Sequence, residues 1–215
     1  MVSRCREYRC SEMDGADIII RTELFRNGAW HTLNSDLYVY MESGCVFYRE
    51  LLKHQGIMLH SSAVELDGKA YLFSGDCGAG KSTHTKVWKE TFGDAAQVFN
   101  DDKPALRYID GKWYAFGTPW CGKDGINQNK KVPLAGICFL KQANKNSIRR
   151  LTQKEAVQKI VGQTIRRFNF VENIDLMLKH VESLVLNIPV FELENRPEPE
   201  AARLSYETMC HAAEE

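Results

Sequence analysis

The chain has 215 residues, 44% hydrophobic and 26% charged, and its 28 Lys and Arg balance 28 Asp and Glu, so one well-buried domain is affordable and no bulk field favours nucleic acid or an anionic membrane. Seven cysteines, at positions 5, 10, 45, 77, 121, 138 and 210, are odd in number and never spaced C-x-x-C; this argues against a zinc ribbon or disulfide framework and predicts free thiols in a cytoplasmic protein. No stretch reaches the roughly 20 apolar residues of a membrane span, and Met1 to Arg6 lead into no apolar run, so neither membrane insertion nor a secretory signal is expected.

Residues 1–45 read as a small β-rich extension. Residues 17–20 and 36–41 look like strands, with Asn27-Gly28 as a turn between candidate strand ends. From residue 46 to 54, Val46, Phe47, Leu51 and Leu52 have helical spacing, which Gln55-Gly56 ends. The remainder, 46–215, reads as the main domain. Residues 57–64 form a predicted strand, and Asp67-Gly68 is a tight turn into a second strand at 70–74. The two are therefore antiparallel neighbours, which departs from a purely parallel doubly wound sheet.

The second strand runs into Gly75-Asp76-Cys77-Gly78-Ala79-Gly80-Lys81-Ser82, followed by Thr83 and a predicted helix. This fits G-x-x-x-x-G-K-[ST] at every fixed position and in the required strand–loop–helix context. Glycines let backbone N–H groups converge on phosphate oxygens, and the helix start adds its positive dipole end. Lys81 is expected on the β- and γ-phosphates and the Ser82 hydroxyl on Mg²⁺, so a nucleoside triphosphate such as ATP is the expected ligand. Cys77 inside the loop reads either as an oxidation-sensitive thiol or as a tolerated small residue.

Beyond this helix, residues 96–102 form a strand ending in Asp101-Asp102, where one carboxylate suits Mg²⁺ and a second could accept a proton from an attacking hydroxyl. Strands at 105–109 and 112–116 flank Asp110-Gly111. A polar loop at 117–125 then presents Trp120 and Lys123, which read equally as a grip on a substrate or cover for the nucleotide and as a lid that only packs. Further expectations are strands at 134–140 and 147–151, helices at 152–167 and 172–186, a strand at 188–193 and a helix at 198–211. A capping box is expected at Thr152 and Glu155. Arg149-Arg150 and Arg166-Arg167 read as solvated faces that could also balance phosphate charge. His60, from position alone, reads as a core residue.

The ordered combination of His60-Ser61-Ser62-Ala63, the hairpin, Phe73-Ser74-Gly75 through Lys81-Ser82-Thr83, and then Asp101-Asp102 resembles the core of the HPr kinase/phosphorylase family, and is similar to phosphoenolpyruvate carboxykinases. The likeness covers roughly residues 56–142. It implies an α/β fold in which a phosphate-loop core carries a mixed sheet. It also implies that His60 lies in the active site and that Asp101 and Asp102 share metal binding and general-base duty. Pro119 to Lys123 replaces the glycine-rich segment that follows the Asp pair in HPr kinases, which points away from HPr as acceptor. The expected activity is ATP- and Mg²⁺-dependent phosphoryl transfer to a hydroxyl, that of a serine in a peptide or small protein. A metabolite alcohol kinase and a non-catalytic nucleotide-binding regulator are the alternatives. The family's members are hexamers, but no interface is marked in this sequence, so a homo-oligomer is one open expectation.

Overall fold

The structure, a computed structural model, describes the backbone of residues 7–13, 16–21, 23–26, 29–32, 36–122, 124–164 and 171–213. It divides into two units, Met1–Leu51 and Leu52–Glu215. In the first, β1 (Glu7–Met13) pairs antiparallel with β2 (Ala16–Arg21), and β3 (Glu23–Arg26) pairs antiparallel with β4 (Ala29–Thr32). The expected Asn27-Gly28 turn lies outside the described residues. Residues 36–41 are not the expected strand but the start of α1 (Asp36–Leu51). Leu37, Val39 and Met41 mimic a period of two. Continued through Cys45 and Tyr48, however, Leu37 and Met41 follow the helical period, and the longer pattern wins.

In the second unit, one sheet runs in the order β8 (Gln97–Asp102), β6 (Ser61–Leu66), β7 (Lys69–Ser74), β11 (Lys131–Gln142), β13 (Val190–Asn195), β12 (Ser147–Arg150). β7, β11 and β13 are mutually parallel, whereas β6, β8 and β12 join by antiparallel pairing, so the sheet is mixed. The first residues of β11 instead pair with β10 (Lys112–Phe116), which continues through β9 (Ala105–Ile109) to β5 (Gly56–Met58) in an antiparallel extension. The hairpins β6–β7 and β9–β10 turn at Asp67-Gly68 and Asp110-Gly111, all four residues having positive φ as a primed turn requires. The single strand expected over 57–64 is broken: β5 and β6 belong to different parts of the sheet, and Leu59-His60 between them lies outside both.

Successive side chains of β7 point to opposite faces, and both faces are covered. Tyr71 and Phe73 pack with Trp88 of α2 (Lys81–Phe92) and Met209 of α5 (Pro199–Ala212). Ala70 and Leu72 face the opposite core, formed with Ile160 of α3 (Gln153–Gln163) and Val181 and Leu184 of α4 (Val171–Asn187). The capping box forms as expected: Thr152 Oγ1 accepts from the Glu155 N–H, and the Glu155 carboxylate accepts from the Thr152 N–H at 2.9 Å. Helix α3 stops at Gln163, short of the expected 167, and the Arg166-Arg167 pair lies outside the described residues.

The α2–α5 seam contains a buried polar cluster. Trp88 Nε1 lies 3.0 Å from Ser205 Oγ and 3.2 Å from His84 Nε2, while Asn195 Nδ2 lies 3.2 Å from His84 Nδ1. Desolvation lowers the His84 pKa from 6.5 to about 4. The unfolded chain therefore takes up this proton more readily, so the stabilisation is complete above pH 6.5 and is lost as pH falls toward 4. Chemical denaturation should show about 2 kcal/mol less stability at pH 5 than at pH 8 from this group. The His84→Gln variant should lack that component, and an identical slope in both proteins would refute the assignment.

Candidate functional site

β7 ends at Ser74 and delivers the chain to Gly75, whose φ is 145°. A Cβ there would meet the Ala79 side chain at 2.9 Å and the Leu140 carbonyl oxygen at 3.1 Å, so both backbone angle and space demand glycine. The loop Gly75 to Gly80 closes on itself through Ala79 N–H to the Asp76 carbonyl at 3.0 Å. It then enters α2 at Gly80, which occupies the N-cap position with φ 96° and no side-chain capping bond. The first-turn N–H groups of α2 thus point at the loop together with the positive end of the helix dipole, an arrangement suited to an anion. Lys81 Nζ donates to the carbonyls of Gly75 at 3.0 Å and Asp76 at 3.2 Å. Burial lowers its pKa, opposed by the charges of Asp102, Cys77, Asp101 and Asp76.

The two aspartates reach this loop because β6 lies between β7 and β8. Registry places Ser62 beside Phe73 on one side and Asp101 on the other, and Ser61 beside Ser74 and Asp102. As neighbours on one strand, the aspartates meet different surroundings. Asp101, only 6% exposed, accepts hydrogen bonds from Ser62 Oγ and from Ser82 Oγ, the latter at 2.9 Å. Asp102 has φ 112°, a left-handed value that a non-glycine residue rarely holds. Its carboxylate faces His60 Nε2 at 3.0 Å and the Lys103 ammonium. Burial alone would raise the Asp102 pKa. The hydrogen bonds from His60 and Lys103 and the charge of Lys103 overcome this and hold it at about 2.

His60, Lys81, Ser82, Thr83, Asp101 and Asp102 share one cleft of about 590 Å³, with Cys77, Gly78 and Gly80 of the loop on its wall. Gly75, Asp76 and Ala79 belong to the loop but do not line this cleft. A second cleft of about 630 Å³ runs along α2 past Lys86 and Lys89 and meets the first at Ser82, Asp101 and Asp124. Trp120 is buried, with 6% exposure, so it presents no gripping surface; the loop's contribution to the cleft is Gly122 and Asp124, and Lys123 lies outside the described residues. Arg149 ion-pairs with Glu155 and Glu192, both at 3.0 Å, and does not line the cleft.

Three contributors had no assigned role in the sequence reading. Ser62 anchors Asp101, Gln142 Nε2 donates to the Gly78 carbonyl at 2.9 Å, and Gln163 Nε2 donates to Asp76 Oδ1 at 2.9 Å. Only Ser62 carried a signal, its place beside His60 on the strand preceding the hairpin. The glutamines arrive from the ends of β11 and α3 through tertiary packing.

Among the described residues no group of three or more His, Cys, Asp or Glu is arranged to hold a metal ion. Mg²⁺ asks for less, because it is held through one or two carboxylates plus substrate phosphates and keeps several waters. The Ser82 hydroxyl against the Asp101 carboxylate at the loop's edge is a hard-oxygen pair that fits that requirement.

The fold and cleft are those of a mixed α/β protein with a glycine-rich loop and an acidic strand end. The family model described as SynChlorMet cassette protein ScmC matches residues 31–195, and the chain belongs to that family. Comparison with curated proteins gives no match. Among solved structures, the Hpr(Ser) kinase/phosphatase from Coxiella burnetii aligns at 11% identity and a TM-score of 0.40, over 72% of this chain and 88% of that one. So distant a likeness carries no residue role across. Among the described residues no helix is long and apolar enough to cross a membrane.

The Asp102 backbone yields a direct test. Asp102→Gly and Asp102→Ala both remove the carboxylate, but only glycine accepts φ 112° without strain. Strain of about 1–3 kcal/mol should outweigh glycine's entropic cost, leaving the Gly variant roughly 1 kcal/mol more stable in denaturant titrations. An Ala variant of equal or greater stability would show that the position is unstrained.

Proposed function

We propose that this protein transfers the γ-phosphoryl group of ATP to a hydroxyl acceptor, namely a serine of a peptide or small protein. The observation that carries the reading is the convergence, on one cleft, of the loop Lys81 with two aspartates in different surroundings: Asp101 against Ser82, and Asp102 against His60.

The loop N–H groups and Lys81 would bind the phosphates and neutralise charge as it develops on the transferred group. Ser82 and Asp101 would hold Mg²⁺, which supplies charge neutralisation on the phosphate oxygens when bound. Asp102 would accept a hydrogen bond from the acceptor hydroxyl and align its oxygen with the γ-phosphorus. The new bond joins that oxygen to phosphorus, and the bond to the bridging oxygen of ADP breaks with its electron pair. A carboxylate held near pKa 2 is a weak base. That suits a loose phosphoryl transition state, in which positioning matters more than early proton abstraction; the hydroxyl proton would pass late through Asp102 to water, its electron pair staying on the oxygen now bound to phosphorus. The second cleft meets the first at Ser82, Asp101 and Asp124 but is not lined by Asp102, so it extends the site on the side of the proposed metal pair.

The test is transfer from γ-labelled ATP with Mg²⁺ to a serine-peptide library and a panel of small alcohols. Label is expected on peptide. Lys81→Ala should abolish it, and Asp101→Asn and Asp102→Asn should each lower kcat by about 100-fold or more while weakening nucleotide binding less. Label on an alcohol instead would overturn the acceptor, and full activity in Lys81→Ala would overturn the whole assignment.

A further inference from the structure

Gln163 is the last residue of α3, and the helix end is pinned into the break between β5 and β6. Thr164 Oγ1 donates to the Met58 carbonyl at 2.6 Å, and the His60 N–H donates to the Gln163 carbonyl at 2.9 Å. The Gln163 side chain then makes two further contacts, one with Asp76 Oδ1 at 2.9 Å and one with His60 Nδ1 at 3.1 Å. A carboxylate only accepts, so the amide NH₂ must face Asp76 and the amide oxygen must face His60. His60 Nδ1 therefore donates to the Gln163 amide oxygen, and by the same rule Nε2 donates to Asp102 Oδ1, 3.0 Å away, so the ring bridges the two acceptors through both of its N–H groups. Asp76, Gln163, His60 and Asp102 form an unbroken chain from the glycine-rich loop to the acidic strand end.

We propose that Gln163 is a positioning residue for phosphoryl transfer, holding the His60 ring on Asp102 and tying that aim to the loop through Asp76; the inference rests on the kinase reading above. An imidazole turns in a broad torsional well, so backbone geometry alone leaves its aim loose. Gln163 fixes both ends of His60, its main-chain N–H and its ring. Gln163 lies outside the ring of residues that lines the cleft, so its loss should disturb alignment rather than ATP binding. Misplacement of a catalytic group by about 1 Å costs on the order of 100-fold in rate.

Two variants separate the roles. Gln163→Leu removes both side-chain contacts, and kcat should fall about 30-fold with the KM for ATP within about threefold of wild type. Gln163→Glu keeps an acceptor for His60 but sets a second carboxylate against Asp76. It should keep kcat within about fivefold and raise the KM for ATP. NMR of ¹⁵N-histidine-labelled protein at one fixed pH should show the His60 Nδ1–H signal in wild type and Gln163→Glu and its loss in Gln163→Leu. Wild-type kcat in the Leu variant, or equal impairment of both variants, would overturn the proposal. Should wild type transfer no phosphoryl group to any acceptor, the kinase reading fails and the His60 signal alone decides. Its loss in Gln163→Leu would sustain the positioning role, and its persistence would overturn it.

Discussion

The site depends on β6 lying between the loop strand and the strand that carries the aspartates. Asp101 follows the loop serine by 19 positions and would have no reason to meet it without that spacer. The Asp67-Gly68 turn sets the β6–β7 register, which puts Ser62 next to Phe73, and the separate β6–β8 register puts Asp101 on its other side. A shift of one residue would turn Ser62 to the opposite face and leave the nearly buried Asp101 carboxylate short of a donor. An unpaired buried charge costs several kcal/mol, so this hydrogen bond protects the register as well as the carboxylate. One contact thus links the hairpin turn, the sheet order and the candidate metal pair.

Unfavourable geometry is concentrated at this end of the sheet. Asp102 is strained at φ 112°, α2 starts without a side-chain cap, and Lys81 is partly desolvated. Such features persist only where the surroundings over-determine them. Here the surroundings are β7, buried on both faces, and the α2–α5 seam, where Trp88 is fully buried and hydrogen-bonds across to Ser205. That seam fixes α2 about two turns beyond the loop, so the first-turn N–H groups keep their aim without a cap.

What the sequence disclosed was local. The strand–loop–helix order around the glycines, the two Asp-Gly turns and the Thr152–Glu155 capping box are each set by residues within a few positions of one another, and each of these forms as expected. The mixed sheet was legible because an Asp-Gly hairpin forces antiparallel pairing beside the loop strand. Features decided by distant packing were not legible. Residues 36–41 carry two periods at once. The break at Leu59-His60 exists because the end of α3 docks there through Thr164 and Gln163. Trp120 reads as exposed in a polar loop, yet it is buried, and Thr118 Oγ1 donates to its carbonyl at 3.3 Å.

That docking also explains how two adjacent carboxylates can be set to different tasks. Among the described residues the Asp101 carboxylate accepts hydrogen bonds from the hydroxyls of Ser62 and Ser82, whereas that of Asp102 meets the His60 ring and the Lys103 ammonium. Environments that differ across a carboxylate pair commonly divide it into separate roles. In the proposed reaction the hydroxyl-lined carboxylate faces the metal, because serine hydroxyls can rotate to release it. The cation-held one stays ionised beside the acceptor. Asp102 holds a positive φ where its side chain meets His60, and the end of α3 accepts the His60 main-chain N–H there. The backbone strain and the helix end thus serve one purpose, the separation of Asp102 from Asp101.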